Sequence, residues 1–252
     1  MLKYFKVRRE VKHCSDNTLR RNLASIRRFY RFLEEFGFSK RSSFSQIGLN
    51  FRTAQRLPRV MSLSEVSSLL DTSKQRARHT GFGKYKGVRD NLILSMLFYT
   101  GMRVGEAIAL DVTDIERTTG TLIVHGKGRK DRVLYVRNKR VLLNLGRYLN
   151  LRSRLKSDCN ALFLNRLGTR LTTRSVEYTF GICLRKAGIT GNYTPHSLRH
   201  TMATVLLERG INLRVLQEIL GHSSVLSTQI YTHVAPRQIE KALVKLSRIE
   251  LE

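Results

Sequence analysis

The sequence predicts a mainly α fold with a small β-sheet (α+β). Three observations carry that prediction. Apolar residues recur at helical spacing near the N-terminus and again from Arg137 onward. Between those regions stand two short β-branched runs, Leu122-Ile123-Val124 and Val133-Leu134-Tyr135-Val136. Hydrophobic residues make up 41% of the 252, enough for a real core, and no apolar run approaches the roughly 18 residues of a membrane span.

Taken in order, the first strong helix lies over residues 16–36, with Asp16 placed to cap it and Gly37 to close it. Leu19, Leu23, Ile26, Tyr30 and Leu33 form one stripe, and Arg20, Arg21, Arg27, Arg28 and Arg31 cover the flank and back. Arginines so placed, without an acidic counterpart, suit a phosphate backbone, although a solvated charged face is the ordinary reading of such a run. From Ser39 to Arg59 no periodicity is clear, which predicts an extended linker ending at Leu57-Pro58. This divides the chain into a short N-terminal helical module, residues 1–56, and a larger domain, residues 57–252.

Ser62 and Glu65, ahead of Val66, Leu69 and Leu70, spell a capping box at a new helix. Residues 72–89 hold six Lys or Arg, no acid and three glycines, and predict a basic loop. Helix is expected from about Asp90 to Tyr99, a break at Thr100-Gly101, and helix again through Arg103 to Leu110. The two β runs flank Gly126-Lys127-Gly128-Arg129-Lys130-Asp131, a hairpin with a glycine-rich basic turn. Beyond Arg137 the pattern reads as helical, with stops at Gly188, Gly210 and Gly221 and Pro195 at a helix start. Ile239, Leu243, Leu246 and Ile249 share a face of the last helix, which suits packing on its own domain.

Charge narrows the function. Lys and Arg number 46 against 19 acids, a formal +27. Such a chain attracts polyanions, because each neutralised phosphate releases condensed counterions. The N-terminus lacks the apolar segment of a signal peptide. Cys14, Cys159 and Cys183 are odd in number and far apart, so they read as free thiols in a reducing compartment. The sequence thus points to a nucleic-acid binder of the cell interior, with no membrane partner.

Arg103 follows a glycine break, with Glu106 one turn later. Lys127 lies at a hairpin tip, His196 and Arg199 stand three apart at a helix start, His222 follows Gly221, and Tyr231 lies nine residues beyond. Arginines neutralise non-bridging phosphate oxygens as charge builds, a tyrosine hydroxyl is a nucleophile, lysine can protonate a leaving alkoxide, and histidine moves protons near neutrality. Each residue alone has an ordinary explanation as a surface ion pair, a solvated lysine or a packed aromatic. His196 and His200 are spaced to share a metal, but no third ligand is evident, and no metal or cofactor is expected.

The series Thr100-Gly101-Met102-Arg103-Val104-Gly105-Glu106, Gly126-Lys127-Gly128, Thr194-Pro195-His196-Ser197-Leu198-Arg199-His200, Leu220-Gly221-His222 and Tyr231-Thr232-His233 resembles the tyrosine recombinases, the phage-integrase and Xer-like family, over about residues 57–235. The resemblance implies a recombinase catalytic domain preceded by a short DNA-binding module. It assigns Arg103, Lys127, His196, Arg199, His222 and Tyr231 to the active site, with Glu106 supporting and Tyr231 as nucleophile. It implies double-stranded DNA with a specific site as partner, a homotetramer on two such sites, accessory proteins, and a cytoplasmic, nucleoid-associated location. Arg129 and Lys130 join the α-helical arginines as expected DNA contacts. Relatives usually carry a larger N-terminal helical domain than residues 1–56 supply. Two other readings stay open at this point: relaxation of DNA by a type IB topoisomerase, and a DNA-binding regulator that does not cut.

Overall fold

The computed structural model describes residues 2–38, 59–76, 81–126, 131–155, 157–221 and 236–248. Two compact units emerge, Met1–Leu57 and Pro58–Glu252.

In the first unit, α1 (Leu2–Glu10) and α2 (Asp16–Glu35) meet through Phe5, Leu19 and Leu23, all buried, with Cys14 and Ile26 against them. Helix α1 is an addition to the sequence reading; its composition is so polar that only Phe5 marks an inner face. The cap of α2 also differs from expectation. Ser15, not Asp16, holds the N-cap and accepts the Thr18 N–H, while Asp16 occupies the first helical position, where its charge favours the helix dipole. At the other end the Phe38 N–H reaches the Leu33 carbonyl and the Gly37 N–H the Glu34 carbonyl, a glycine-closed helix stop. Arg20, Arg21, Arg28 and Arg31 are exposed and Arg27 half-buried. The linker expected at 39–59 lies outside the described residues except for Arg59.

The second unit is organised around one helix. The expected capping box is present: Ser62 Oγ accepts the Glu65 N–H at 3.1 Å and Glu65 returns a carboxylate to the Ser62 N–H at 2.7 Å, opening α3 (Leu63–Gln75). Next comes α4 (Gly81–Thr100), which corrects the basic loop expected over 72–89. Its first two turns hold the glycines and lysines that suggest a loop, but Tyr85 and Val88 fall on its inner side and are buried. From there Leu92, Leu94, Met96 and Phe98 are all fully buried, on every side of the helix. Around α4 pack α3, α6 (Lys139–Arg152), α7 (Thr173–Lys186), α8 (Pro195–Glu208) and α10 (Pro236–Ser247).

At the break after α4, Gly101 adopts φ +66°, and α5 (Val104–Ala109) follows. A Cβ on Gly101 would stand 1.8 Å from the terminal carbon of buried Met202. Gly101→Ala therefore combines left-handed strain with displaced packing and is expected to lower unfolding free energy by about 1–2 kcal/mol in urea titration.

A three-stranded antiparallel sheet follows, β1 (Ile115–Glu116), β2 (Thr121–Val124) and β3 (Arg132–Tyr135), in the order β1-β2-β3. The hairpin expected from the sequence is present, with Leu122 opposite Leu134 and Val124 opposite Arg132; β1 adds a short edge. The tip, residues 127–130, lies outside the described residues.

Beyond α6 the continuous helical pattern expected from Arg137 is corrected: the described residues of 153–172 form no helix. Ala161, Leu162, Phe163 and Leu164 are fully buried and bend between bridges at Ala161 and Leu164, with the Leu162 N–H on the Leu110 carbonyl and the Leu171 N–H on the Phe163 carbonyl, both at 2.8 Å. Four consecutive buried residues need partners on both sides, which a one-sided surface helix would not provide. Helices α7 and α8 end at Gly188 and Gly210 as expected, and α9 (Leu213–Leu220) at Gly221, all three glycines in the left-handed region.

The last helix packs on its own domain. Ala242, Leu243 and Leu246 are buried in the main core, and Ile239 packs against it. Arg137 pairs with Glu240 at 2.6 Å, and the Asn138 amide donates to the Ser247 carbonyl. Ile249 lies outside the described residues. Among the described residues no helix is long and apolar enough to cross a membrane.

Candidate active site

Three helix ends assemble the site. Arg103 precedes α5, in the turn forced by Gly101. Its backbone N–H donates to Glu106 Oε2 at 2.7 Å and its Nη1 to Glu106 Oε1 at 2.8 Å, so the carboxylate caps the helix start and orients the guanidinium together. The Arg103 side chain remains 41% exposed, whereas Glu106 is 10% exposed. One arginine is thus supported from below and open to solvent above.

Arg199, on the first turns of α8, is only 3% exposed. It donates through Nη1 to the Gly101 carbonyl and through Nη2 to the Leu220 carbonyl, each at 2.6 Å. Those acceptors lie at the α4–α5 break and at the C-terminus of α9, so one side chain ties three helix ends together. Burial, followed by the charge of Arg103, lowers the Arg199 pKa to about 10, which still leaves it protonated at neutrality.

His196 follows Pro195, the first residue of α8, and its ring meets that of His200 edge to face at 5.1 Å. Burial holds its pKa below the ordinary 6.5, and His200, Arg199 and Arg103 act in the same direction against Glu106. The imidazole is therefore neutral at pH 7 and able to accept a proton. If its neutral form is the working one, cleavage falls as pH drops through this depressed pKa. The acid limb of the rate profile is expected below pH 6.5, and His196→Gln should flatten it.

Glu106 receives a second guanidinium, one that sequence reasoning missed. Arg132 donates from Nη1 to Oε1 at 3.1 Å and from Nη2 to Oε2 at 2.8 Å, and from Nε to the Ile219 carbonyl at 3.0 Å. Burial alone would raise the Glu106 pKa, but the hydrogen bonds from Arg132 and Arg103 overcome it and bring it to about 2. The signal for Arg132 was present in the period of β3: it stands two residues before fully buried Leu134, hence on the same inward face. A basic residue on such a face needs an acidic partner.

The structure thus brings Arg103, Glu106, His196 and Arg199 together. Lys127, Arg129, Lys130, His222 and Tyr231 lie outside the described residues; in the chain His222 directly follows Gly221. The arginines of α2 belong to the other unit.

Paired arginines beside a buried carboxylate and a neutral histidine, on a helical domain with a small antiparallel sheet, have the charge to hold an anionic group. Comparison with known proteins gives the family. Residues 59–238 match the model of the phage integrase family. A tyrosine recombinase of Agathobacter rectalis is 37% identical over 229 residues, covering 90% of this chain and 75% of that one. The tyrosine recombinase XerC of Bacillus subtilis is 34% identical over 233 residues, 90% of this chain and 74% of its own. Among solved structures, XerA recombinase superposes with a TM-score of 0.59 at 28% identity, over 98% of this chain and 82% of that one. The fold also matches XerH site-specific recombinase bound to its palindromic difH substrate, with a TM-score of 0.73 at 22% identity over 96% of this chain and 70% of that one.

The chain belongs to the phage integrase family of tyrosine recombinases. It is an enzyme of site-specific DNA recombination, cleaving and rejoining DNA strands, and the comparisons favour this over the topoisomerase and non-cutting readings.

Proposed function

We propose that Tyr231 carries out the cleavage step at the site built by Arg103, Glu106, His196 and Arg199. The tyrosyl oxygen attacks the scissile phosphorus, the bond from phosphorus to the 5′-oxygen breaks, and a 3′-phosphotyrosyl ester remains beside a free 5′-hydroxyl. His196 assists removal of the tyrosyl proton, and Lys127 delivers a proton to the departing 5′-oxygen. Arg103 and Arg199 hold the non-bridging oxygens, His222 hydrogen-bonds one of them, and Glu106 keeps Arg103 aimed. The ester conserves the energy of the broken bond, so attack by the 5′-hydroxyl of a partner strand reseals DNA in a new connection without a nucleotide cofactor.

The observation that carries this reading is the convergence of Arg103 and Arg199 beside a neutral imidazole, one guanidinium open to solvent and the other anchored on two backbone carbonyls. Residues 57–252 form the catalytic domain in this reading and residues 1–56 a DNA-binding module. Arg20, Arg21, Arg27, Arg28 and Arg31, with Arg129 and Lys130 of the hairpin, contact the DNA backbone. Exchange takes place in a homotetramer on two DNA sites, with accessory proteins, at the nucleoid in the cytoplasm.

Covalent trapping in the host tests this directly, by denaturing the protein without crosslinker and sequencing DNA that stays attached. Adducts at one or a few sites are expected. Scattered adducts would indicate relaxation instead, and none would overturn the cleavage reading.

A further inference from the structure

We propose that Arg132 is a positioning residue for strand cleavage: it fixes Glu106, and through it Arg103, to the end of the helix that leads into His222. This rests on the roles of Arg103 and Glu106 given above.

Arg132 opens β3, and its side chain is 12% exposed. All three of its guanidinium nitrogens are engaged, two on the Glu106 carboxylate and one on the Ile219 carbonyl. Each Glu106 oxygen is shared. Oε1 accepts from Arg103 Nη1 and Arg132 Nη1, and Oε2 accepts from the Arg103 N–H and Arg132 Nη2. Four donors fill the acceptor sites of one carboxylate, so its orientation is fixed and the aim of Arg103 with it. These contacts occupy Arg132 and leave it largely buried, whereas Arg103 is open to solvent, which separates the two roles.

The guanidinium also joins segments distant in sequence. It belongs to β3, it grips the start of α5, and it holds the end of α9. Gly221 preserves the room for this. Its φ is +61°, and a Cβ there would approach Arg132 Nη1 to 2.8 Å. The position just before His222 therefore serves both the helix stop and the Arg132 clamp.

Glu106 faces Arg103 and Arg132 through hydrogen bonds, and Arg199 and His196 through charge. Without Arg132, burial acts on the carboxyl against the donors of Arg103 alone, and its pKa rises.

The test is single-turnover cleavage of a nicked suicide substrate carrying the site recovered by trapping. It compares full-length wild type, Arg132→Met, Arg132→Lys, Glu106→Gln and the Arg132→Met/Glu106→Gln double variant. Arg132→Met is expected to lower the saturating rate about a hundredfold. The DNA concentration for half-saturation should stay within about twofold. The double variant should be no slower than the worse single variant, because both act through one contact. Arg132→Met should also gain a second acid limb, in addition to that of His196, which the double variant lacks because it has no carboxyl at position 106. Arg132→Lys keeps the charge but cannot span both acceptors, and should lose about tenfold; it carries the test if Arg132→Met does not fold. Additive losses, wild-type rates in both Arg132 variants, or a loss confined to DNA affinity would overturn the inference alone. A wild-type protein that forms no adduct would overturn the proposed cleavage step, and this inference with it.

Discussion

Tyr231→Phe is expected to bind DNA as tightly as wild type, within about twofold, and to form no covalent adduct at all. The substitution deletes one oxygen, and that oxygen is the atom that would bond to phosphorus. Phenylalanine offers no alternative nucleophile, so the loss is total rather than graded. Affinity survives because binding by a chain of formal charge +27 is dominated by contacts to many phosphates, which the change leaves intact. A gel-shift titration beside denaturing electrophoresis of labelled DNA separates the two quantities. An adduct persisting in Tyr231→Phe would move the nucleophile to another residue.

The second large effect falls on Arg199. The residue is 3% exposed, and its guanidinium is held by the carbonyls of Gly101 and Leu220. In the proposed role Arg199→Ala removes a donor to the transition state, expected to slow cleavage by about a hundredfold to a thousandfold. It also leaves two carbonyls unsatisfied, with an expected stability loss of about 1–3 kcal/mol. Arg103→Ala provides the contrast. Arg103 is 41% exposed, so its removal should slow cleavage comparably with a smaller change in thermal stability. Cleavage rates and melting curves measured on the same preparations check both. Normal cleavage by either variant would refute the phosphate-clamp roles.

Much of the fold was legible because local signals and burial agree. The stripe of α2, the Ser62–Glu65 box, the hairpin and the glycine stops are each written within a few residues. The failures share a physical cause, which is that long-range burial outweighs local composition. Gly81 to Arg89 carries the signs of a loop yet becomes helix, because Tyr85 and Val88 enter a core supplied by α6 and α7. Ala161 to Leu164 is not helical because Leu110, far away in the chain, and Leu171, eight residues from Phe163, complete its hydrogen bonds.

The site divides along the same line. Arg103 and Glu106 form a pair within one turn and are visible as such. His196 and Arg199 stand on one helix face, and only the resemblance to a family linked them to the first pair. Arg132 escaped notice because its partner lies 26 positions earlier and on another element. Periodicity placed it on the inward face of a strand, but no local pattern names the carboxylate it meets.

The crowding of positive side chains has a thermodynamic consequence. Arg103 and Arg132 pair with one carboxylate whose charge also reaches Arg199, and the field of Arg103 already disfavours the charged form of Arg199. These like charges repel and are held together by Glu106 and by the carbonyl end of α9. In the proposed function a phosphate diester brings further negative charge, so substrate relieves a repulsion built into the folded chain. Binding and folding are thereby linked: DNA at a hundred times its dissociation constant adds about 2.7 kcal/mol to the folded state. In that sense the substrate is a counterion that the fold is built to await.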